Sequence, residues 1–162
     1  MRTYHKDINA DFTCKHCSYF VITQSQISGV VNRNHCPYCL HSRHVDLYVP
    51  GDRLCACKAL MKPVGLTLKR SRDKYAYDNN GELMLVHRCN NCGDLSINRI
   101  AADDDPDMIL AILLRNGTKE HPALIKACRI SGIRLLEEKH RRYVQSLLFG
   151  RSADLRVEAA MI

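Results

Sequence analysis

Over the first hundred residues, apolar positions come in short runs broken by turn residues. Phe20-Val21-Ile22, Val45-Asp46-Leu47-Tyr48-Val49 and Leu83-Met84-Leu85-Val86 are β-prone runs of strand length. Gly29, Asn32 to Asn34, Pro50-Gly51-Asp52 and Asp78-Asn79-Asn80-Gly81 separate them, and Asn80-Gly81 predicts a hairpin turn. From residue 103 the period changes. Asp103-Asp104-Asp105-Pro106-Asp107 predicts a helix start, with an Asp cap, Pro in the first turn and acidic charge at the positive dipole end. That helix should run to about Leu114 and end at Asn116-Gly117. A second helix is expected from near Pro122, with Leu124, Ile125 and Cys128 on one face, and Ser131-Gly132 breaks it. Ile133, Leu136, His140, Tyr143 or Val144, and Leu147 then recur at helical spacing. On that last helix Glu137 and Glu138 stand four residues before Arg141 and Arg142, and Gly150 stops it. The pattern thus divides the chain into hairpins over 1–102, helices over 103–150 and a tail over 151–162.

Composition narrows the class. The longest apolar run, Met108 to Leu114, is far too short to cross a bilayer, so no membrane association is expected. Behind Met1-Arg2-Thr3-Tyr4-His5-Lys6-Asp7 there is no apolar leader, and the expected location is the cytoplasm. Nine cysteines in a reducing compartment read as metal ligands rather than disulfides. The formal charge is +7; residues 1–102 hold 14 basic and 8 acidic side chains, residues 103–162 hold 10 and 9. Two tetrathiolate zinc sites, each −2, would reduce the first part from +6 to +2, so any polyanion contact must rest on local patches.

The cysteines fall into two sets. Cys14-Lys15-His16-Cys17 and Cys36-Pro37-Tyr38-Cys39 are Cys-x2-Cys pairs whose turns aim sulfurs at one ion at about 2.3 Å. Cys55-Ala56-Cys57 and Cys89-Asn90-Asn91-Cys92 repeat the logic, with Cys-x-Cys the less usual half. Either all four ligate, or His87 replaces Cys55. Sequential pairing is favoured over a crossed one because each intervening stretch suits a hairpin. Two Zn²⁺ ions per chain are expected, in structural roles. Such ions supply on the order of 10–16 kcal/mol of apparent binding free energy, more than a small core offers. Cys128 reads as a small core residue. The expected fold is α+β: tandem zinc-ribbon β-hairpin modules followed by a small α-helical C-terminal region.

Arg33-Asn34-His35-Cys36-Pro37 spells the signature of the RNHCP domain, a largely uncharacterised bacterial zinc-ribbon family. The chain also resembles that family at Phe12-Thr13-Cys14, Ser42-Arg43-His44-Val45-Asp46, Gly51-Asp52-Arg53, Met61-Lys62-Pro63-Val64-Gly65-Leu66, His87-Arg88-Cys89, Asn98-Arg99-Ile100-Ala101 and Asp103-Asp104-Asp105-Pro106-Asp107. The resemblance covers about residues 11–113 and implies zinc binding and a cytoplasmic protein, with no activity attached. Ser18 and Leu40 stand where a knuckle glycine often follows the second cysteine, whereas Gly93 keeps it.

Cys36-Pro37-Tyr38-Cys39 matches the glutaredoxin tetrapeptide, but a redox site needs a helix after it and Leu40 to Pro50 does not read as one. The chain lacks the His-x-Glu of a zinc deaminase. An HNH-like nuclease would draw on Asn34-His35, His44-Val45-Asp46 or His87-Arg88, against the plainer reading that these histidines serve the metal sites. The favoured function is non-enzymatic binding of RNA or a ribonucleoprotein, with the ribosome or its factors as the expected setting. Lys69, Arg70, Arg72, Lys74, Tyr75 and Tyr77 would make the contacts, with Arg33, Arg43 and Arg88 near the knuckles. The rival reading is a protein-interaction module whose C-terminal helices dock a partner.

Overall fold

The computed structural model describes residues 10–69, 81–118 and 122–150. β1 (Phe12–Thr13) pairs with β2 (Phe20–Val21), and a separate four-stranded antiparallel sheet has the order β3 (Ser42–Arg43), β4 (Leu60–Lys69), β5 (Glu82–Cys89) and β6 (Leu95–Arg99). The helices are α1 (Ser25–Ser28), α2 (Pro106–Thr118), α3 (Pro122–Ile130) and α4 (Arg141–Phe149), and a 3-10 turn at Glu138–His140 leads into α4.

β4 and β5 form one long hairpin, from Met61 opposite Cys89 to Lys69 opposite Glu82. Pro63 is tolerated inside it because β3 reaches no further than Met61 and the register shifts between Pro63 and Gly65. Residues at period two on β5 share a face, so Leu83, Leu85 and His87 point the same way. On this face the core closes: Leu66, Leu83 and Leu85 of the sheet meet Ile109, Ile112 and Leu113 of α2, Val144 of α4, and Leu136. Leu40 completes it from the segment between Cys36-Pro37-Tyr38-Cys39 and β3. The core therefore joins residues from both sides of the 102/103 change in pattern.

α2 begins as its sequence predicts. Asp105 Oδ1 accepts hydrogen bonds from the N–H groups of Asp107 (2.9 Å) and Met108 (3.3 Å). It runs on to Thr118, past Asn116-Gly117. Cys128 is buried on α3, as a core residue should be.

Two expected elements differ. Residues 133–137 are extended, not helical: Leu136 N–H donates to Leu66 O (2.8 Å), Thr67 Oγ1 donates to Arg134 O (2.7 Å), and Leu135 bridges to Thr67. Glu137 consequently caps the 3-10 turn and pairs with Lys139 at 2.9 Å instead of lying one helical turn before Arg141. Val45 to Val49 is not a strand. The Asp52 carboxylate accepts the N–H groups of Leu47, Tyr48, Val49 and Leu54, folding the segment into a loop. Burial opposes ionisation of Asp52, but these four donors outweigh it and hold the carboxyl well below its ordinary range.

Candidate metal centres

The Sγ atoms of Cys14, Cys17, Cys36 and Cys39 converge. Cys14 and Cys39 approach to 3.6 Å, Cys17 and Cys36 to 3.5 Å. Bonds of about 2.3 Å at tetrahedral angles put sulfurs about 3.8 Å apart, so one Zn²⁺ fits this set. The two knuckles mirror each other. Cys14 N–H donates to Tyr19 O and Ser18 N–H to Cys14 O; Cys36 N–H donates to His41 O and Leu40 N–H to Cys36 O. The third residue of each knuckle meets the residue two beyond the other's last cysteine: His16 stacks on His41 at 3.6 Å between centroids, and Tyr38 leans on Tyr19 at 4.9 Å. Burial pushes the Cys36 thiol up to about 11 and raises Cys39 as well. A divalent cation reverses that preference, because it binds thiolate.

The second group is His44, Cys57, Cys89 and Cys92, its ligand atoms all within 4.8 Å of one another. Cys57 and Cys89 sulfurs stand 3.6 Å apart, and His44 Nδ1 lies 3.3 Å from Cys92 Sγ. Asp94 sits 3.9 Å from the other ring nitrogen, on the outer side where a metal-bound histidine usually finds a carboxylate. The Ala59 amide, the Asn91 side chain and then His44 hold the Cys57 thiol down to about 6, ready as a thiolate. Pairing is sequential, as expected, but the ligand set is corrected. Cys55 is not in the group: it is buried, and its N–H donates to Val45 O at 3.0 Å. Nor is His87. Its Nε2–H donates to Leu40 O (2.7 Å) and its Nδ1 accepts from Asn98 Nδ2 (2.9 Å). Burial, with His35 nearby, lowers its pKa to about 3 and keeps the ring neutral.

Why His44 belongs follows from the backbone. His44 N–H donates to Ala59 O and Lys58 N–H to His44 O; Cys89 N–H donates to Asp94 O and Gly93 N–H to Cys89 O. These are the same two bonds that close the Cys14 and Cys36 knuckles. The residue after the second ligand is left-handed in all four, with φ of 65° at Ser18, 58° at Leu40, 50° at Lys58 and 79° at Gly93. His44-to-Cys57 is therefore a knuckle in which residues 45–56 replace the usual two. Cysteine spacing alone does not show it; Ser42-Arg43-His44, directly after the first site, is the available clue.

The RNHCP signature is mostly structural. Arg33 has a fully buried side chain, with Nη1 2.8 Å from both Asp103 oxygens, Nη2 3.1 Å from Asp104, and Nε donating to His35 O. His35 Nε2 donates to Asp104 at 2.8 Å, and Ala101 N–H donates to the same carboxylate. Asn34 O accepts from Arg43 N–H and Ser42 Oγ, and Pro37 O accepts from Asp105 N–H. The expected role of Arg33 as a nucleic-acid contact is thus corrected: a guanidinium sealed on two carboxylates presents nothing to a ligand. Arg43 is half-buried over the Phe12 ring at 4.1 Å, whereas Arg88 and Lys69 are exposed. Arg70, Arg72, Lys74, Tyr75 and Tyr77 lie outside the described residues.

Four knuckles paired on antiparallel hairpins, one donor set of four sulfurs and one of three sulfurs and a nitrogen, neither with an open position, define a zinc-ribbon protein carrying two structural zinc sites. The chain belongs to the RNHCP domain family, whose model matches residues 9–110. No curated protein and no solved structure matches it. Among the described residues no helix is long and apolar enough to cross a membrane.

Proposed function

We propose that this chain is a non-enzymatic RNA- or ribonucleoprotein-binding protein, with the ribosome or its factors as the setting. The observation that carries this reading is the β4–β5 hairpin. Its base, Met61 opposite Cys89, sits at the second metal centre, and its far end, Lys69 opposite Glu82, is where the basic stretch Lys69 to Tyr77 begins. Eight residues of strand place that end roughly 26 Å from the base. A metal-anchored arm that ends at Lys69, with Arg70, Arg72, Lys74, Tyr75 and Tyr77 following in sequence, suits phosphate and base contacts.

Replacing Lys69, Arg70, Arg72 and Lys74 by Ala should weaken RNA binding and flatten the salt dependence, by about 0.7 of log–log slope per lost phosphate contact on single strands. Unchanged affinity and slope would remove the arm from the reading. A non-enzymatic role also fits the histidines. Those weighed for a nuclease have other partners, which support it: His35 Nε2 donates to Asp104, His44 faces three cysteines, and His87 donates to Leu40 O.

A protein-interaction role has one observation behind it. Leu47, Tyr48, Val49 and Leu54 are at least half exposed on the Asp52-held loop. The C-terminal helices are the weaker docking candidates, since Val144 and Leu148 of α4 are spent in the core. Binding that survives high salt would favour this reading.

A further inference from the structure

Arg33 is neutralised by Asp103 and Asp104, Arg53 by Asp46 and Arg99 by Glu82. Arg43 differs. It is half-buried in β3, yet among the described residues no carboxylate pairs with it, and its buried Nε donates to no acceptor. A guanidinium does not deprotonate in a protein, so a charge drawn this far out of water needs an opposite one nearby. A neutral acceptor would satisfy the N–H but not the charge. The fold places an anion within reach. Arg43 Cζ lies 4.1 Å from the centroid of the Phe12 ring. Phe12 stands two residues before Cys14, and Cys14 N–H continues the β1–β2 pairing onto Tyr19 O, so Phe12 and Cys14 share a face. Both are buried, in one cluster with Cys36 and Cys39. The ring thus holds the guanidinium at the edge of the first metal centre, where four thiolates and one Zn²⁺ sum to −2. Burial, then Arg53, lowers the Arg43 pKa, whereas a Cys14 thiolate raises it.

We propose that Arg43 is the counter-cation of the first zinc centre, stabilising its four cysteines as metal-bound thiolates. This stands on the zinc set and is independent of the RNA-binding reading. It gives Arg43 a task inside the molecule rather than at a nucleic-acid surface. The dependence runs both ways. Protonating the thiols on loss of zinc leaves Arg43 without compensation, and removing Arg43 leaves the −2 charge without its cation. The second centre, with His44 in place of one thiolate, carries one negative charge fewer and serves as an internal reference.

The test uses the full-length protein loaded with Co²⁺ and titrated with EDTA. Absorption follows the two centres separately, since four thiolates and three thiolates with an imidazole give different spectra. Arg43→Met should weaken cobalt binding at the first centre by about ten- to a hundredfold, as loss of an outer partner of a metal site does, and leave the second centre unchanged. Arg43→Lys should recover most of that loss, because a charge stays over the Phe12 ring. Met and Lys are unbranched and similar in shape, so charge is what separates them. Equal losses in the two variants would show a packing role and overturn the proposal. Unchanged binding at the first centre in Arg43→Met overturns it too. So does equal weakening of both centres, which would mean that β3, the strand leading into His44, had shifted as a whole. If Arg43→Met takes up no cobalt at the first centre, recovery in Arg43→Lys supports the proposal and its absence overturns it.

Discussion

At the scale of single residues, the left-handed positions after each second ligand separate two costs that usually coincide. A non-glycine residue there gives up roughly 1–2 kcal/mol. Ser18 is exposed, so Ser18→Gly should stabilise the zinc-loaded protein by about 0.5–1 kcal/mol once glycine's extra chain entropy is subtracted, read as a higher melting temperature. Leu40 has the same backbone but is fully buried in the main core, and Leu40→Gly should cost about 2–5 kcal/mol despite relieving the strain. The same melts would rank them, and stabilisation by both would break the argument. Arg33 offers a second residue-scale prediction. Arg33→Ala removes the cation that Asp103 and the buried Asp104 share and should cost about 3–5 kcal/mol in chemical denaturation, whereas Asp104→Ala should cost less because Arg33 keeps Asp103. Arg33→Lys should not recover it, since an ammonium cannot reproduce the three-nitrogen contact.

At the scale of elements, the knuckle is the unit. His44→Ala should leave one zinc by native mass spectrometry, whereas Cys55→Ser and His87→Gln variants that fold should keep two. With Co²⁺ in place of Zn²⁺, the two sites should give distinct spectra, one of four thiolates and one of three thiolates with an imidazole. Loss of zinc from Cys55→Ser alone would restore the ligand set that spacing suggested. Much of this was legible in the chain. The Cys-x2-Cys pairs, the Asp105 cap and the β5 run announce themselves because local geometry suffices for each. What was not legible depends on distant partners. Ile133 to Leu136 has a helical period, but β4 takes their backbone N–H and C=O groups, and an edge pairing sixty-odd residues away overrides the local preference. Val45 to Val49 alternates like a strand until Asp52 captures its amides. Arg33 looks like a surface cation until Asp103 and Asp104 arrive from seventy residues on.

At the scale of the whole molecule, the two metal centres are not equally supported. The cluster around the first site is Phe12 and Val21 with the four cysteines, so apart from its ligands it has two buried apolar side chains. The second site is backed by the sheet and by the core beneath α2. Stepwise chelation should therefore disorder residues 10–39 first, with amide exchange rising there before it rises in β4, β5 and α2. Exchange that rises in all segments at the same chelator concentration would show one cooperative unit instead. The His44–Cys57 knuckle has a consequence for how such a chain can change. Val45 and Cys55 seal the base of its loop by a 3.0 Å hydrogen bond, and the metal clamps the ends outside them. The stretch between is then a cassette on a fixed socket. Lengthening it twofold costs only about 0.6 kcal/mol of closure entropy, so descendants of this fold are free to exchange what they display there without renegotiating how they fold.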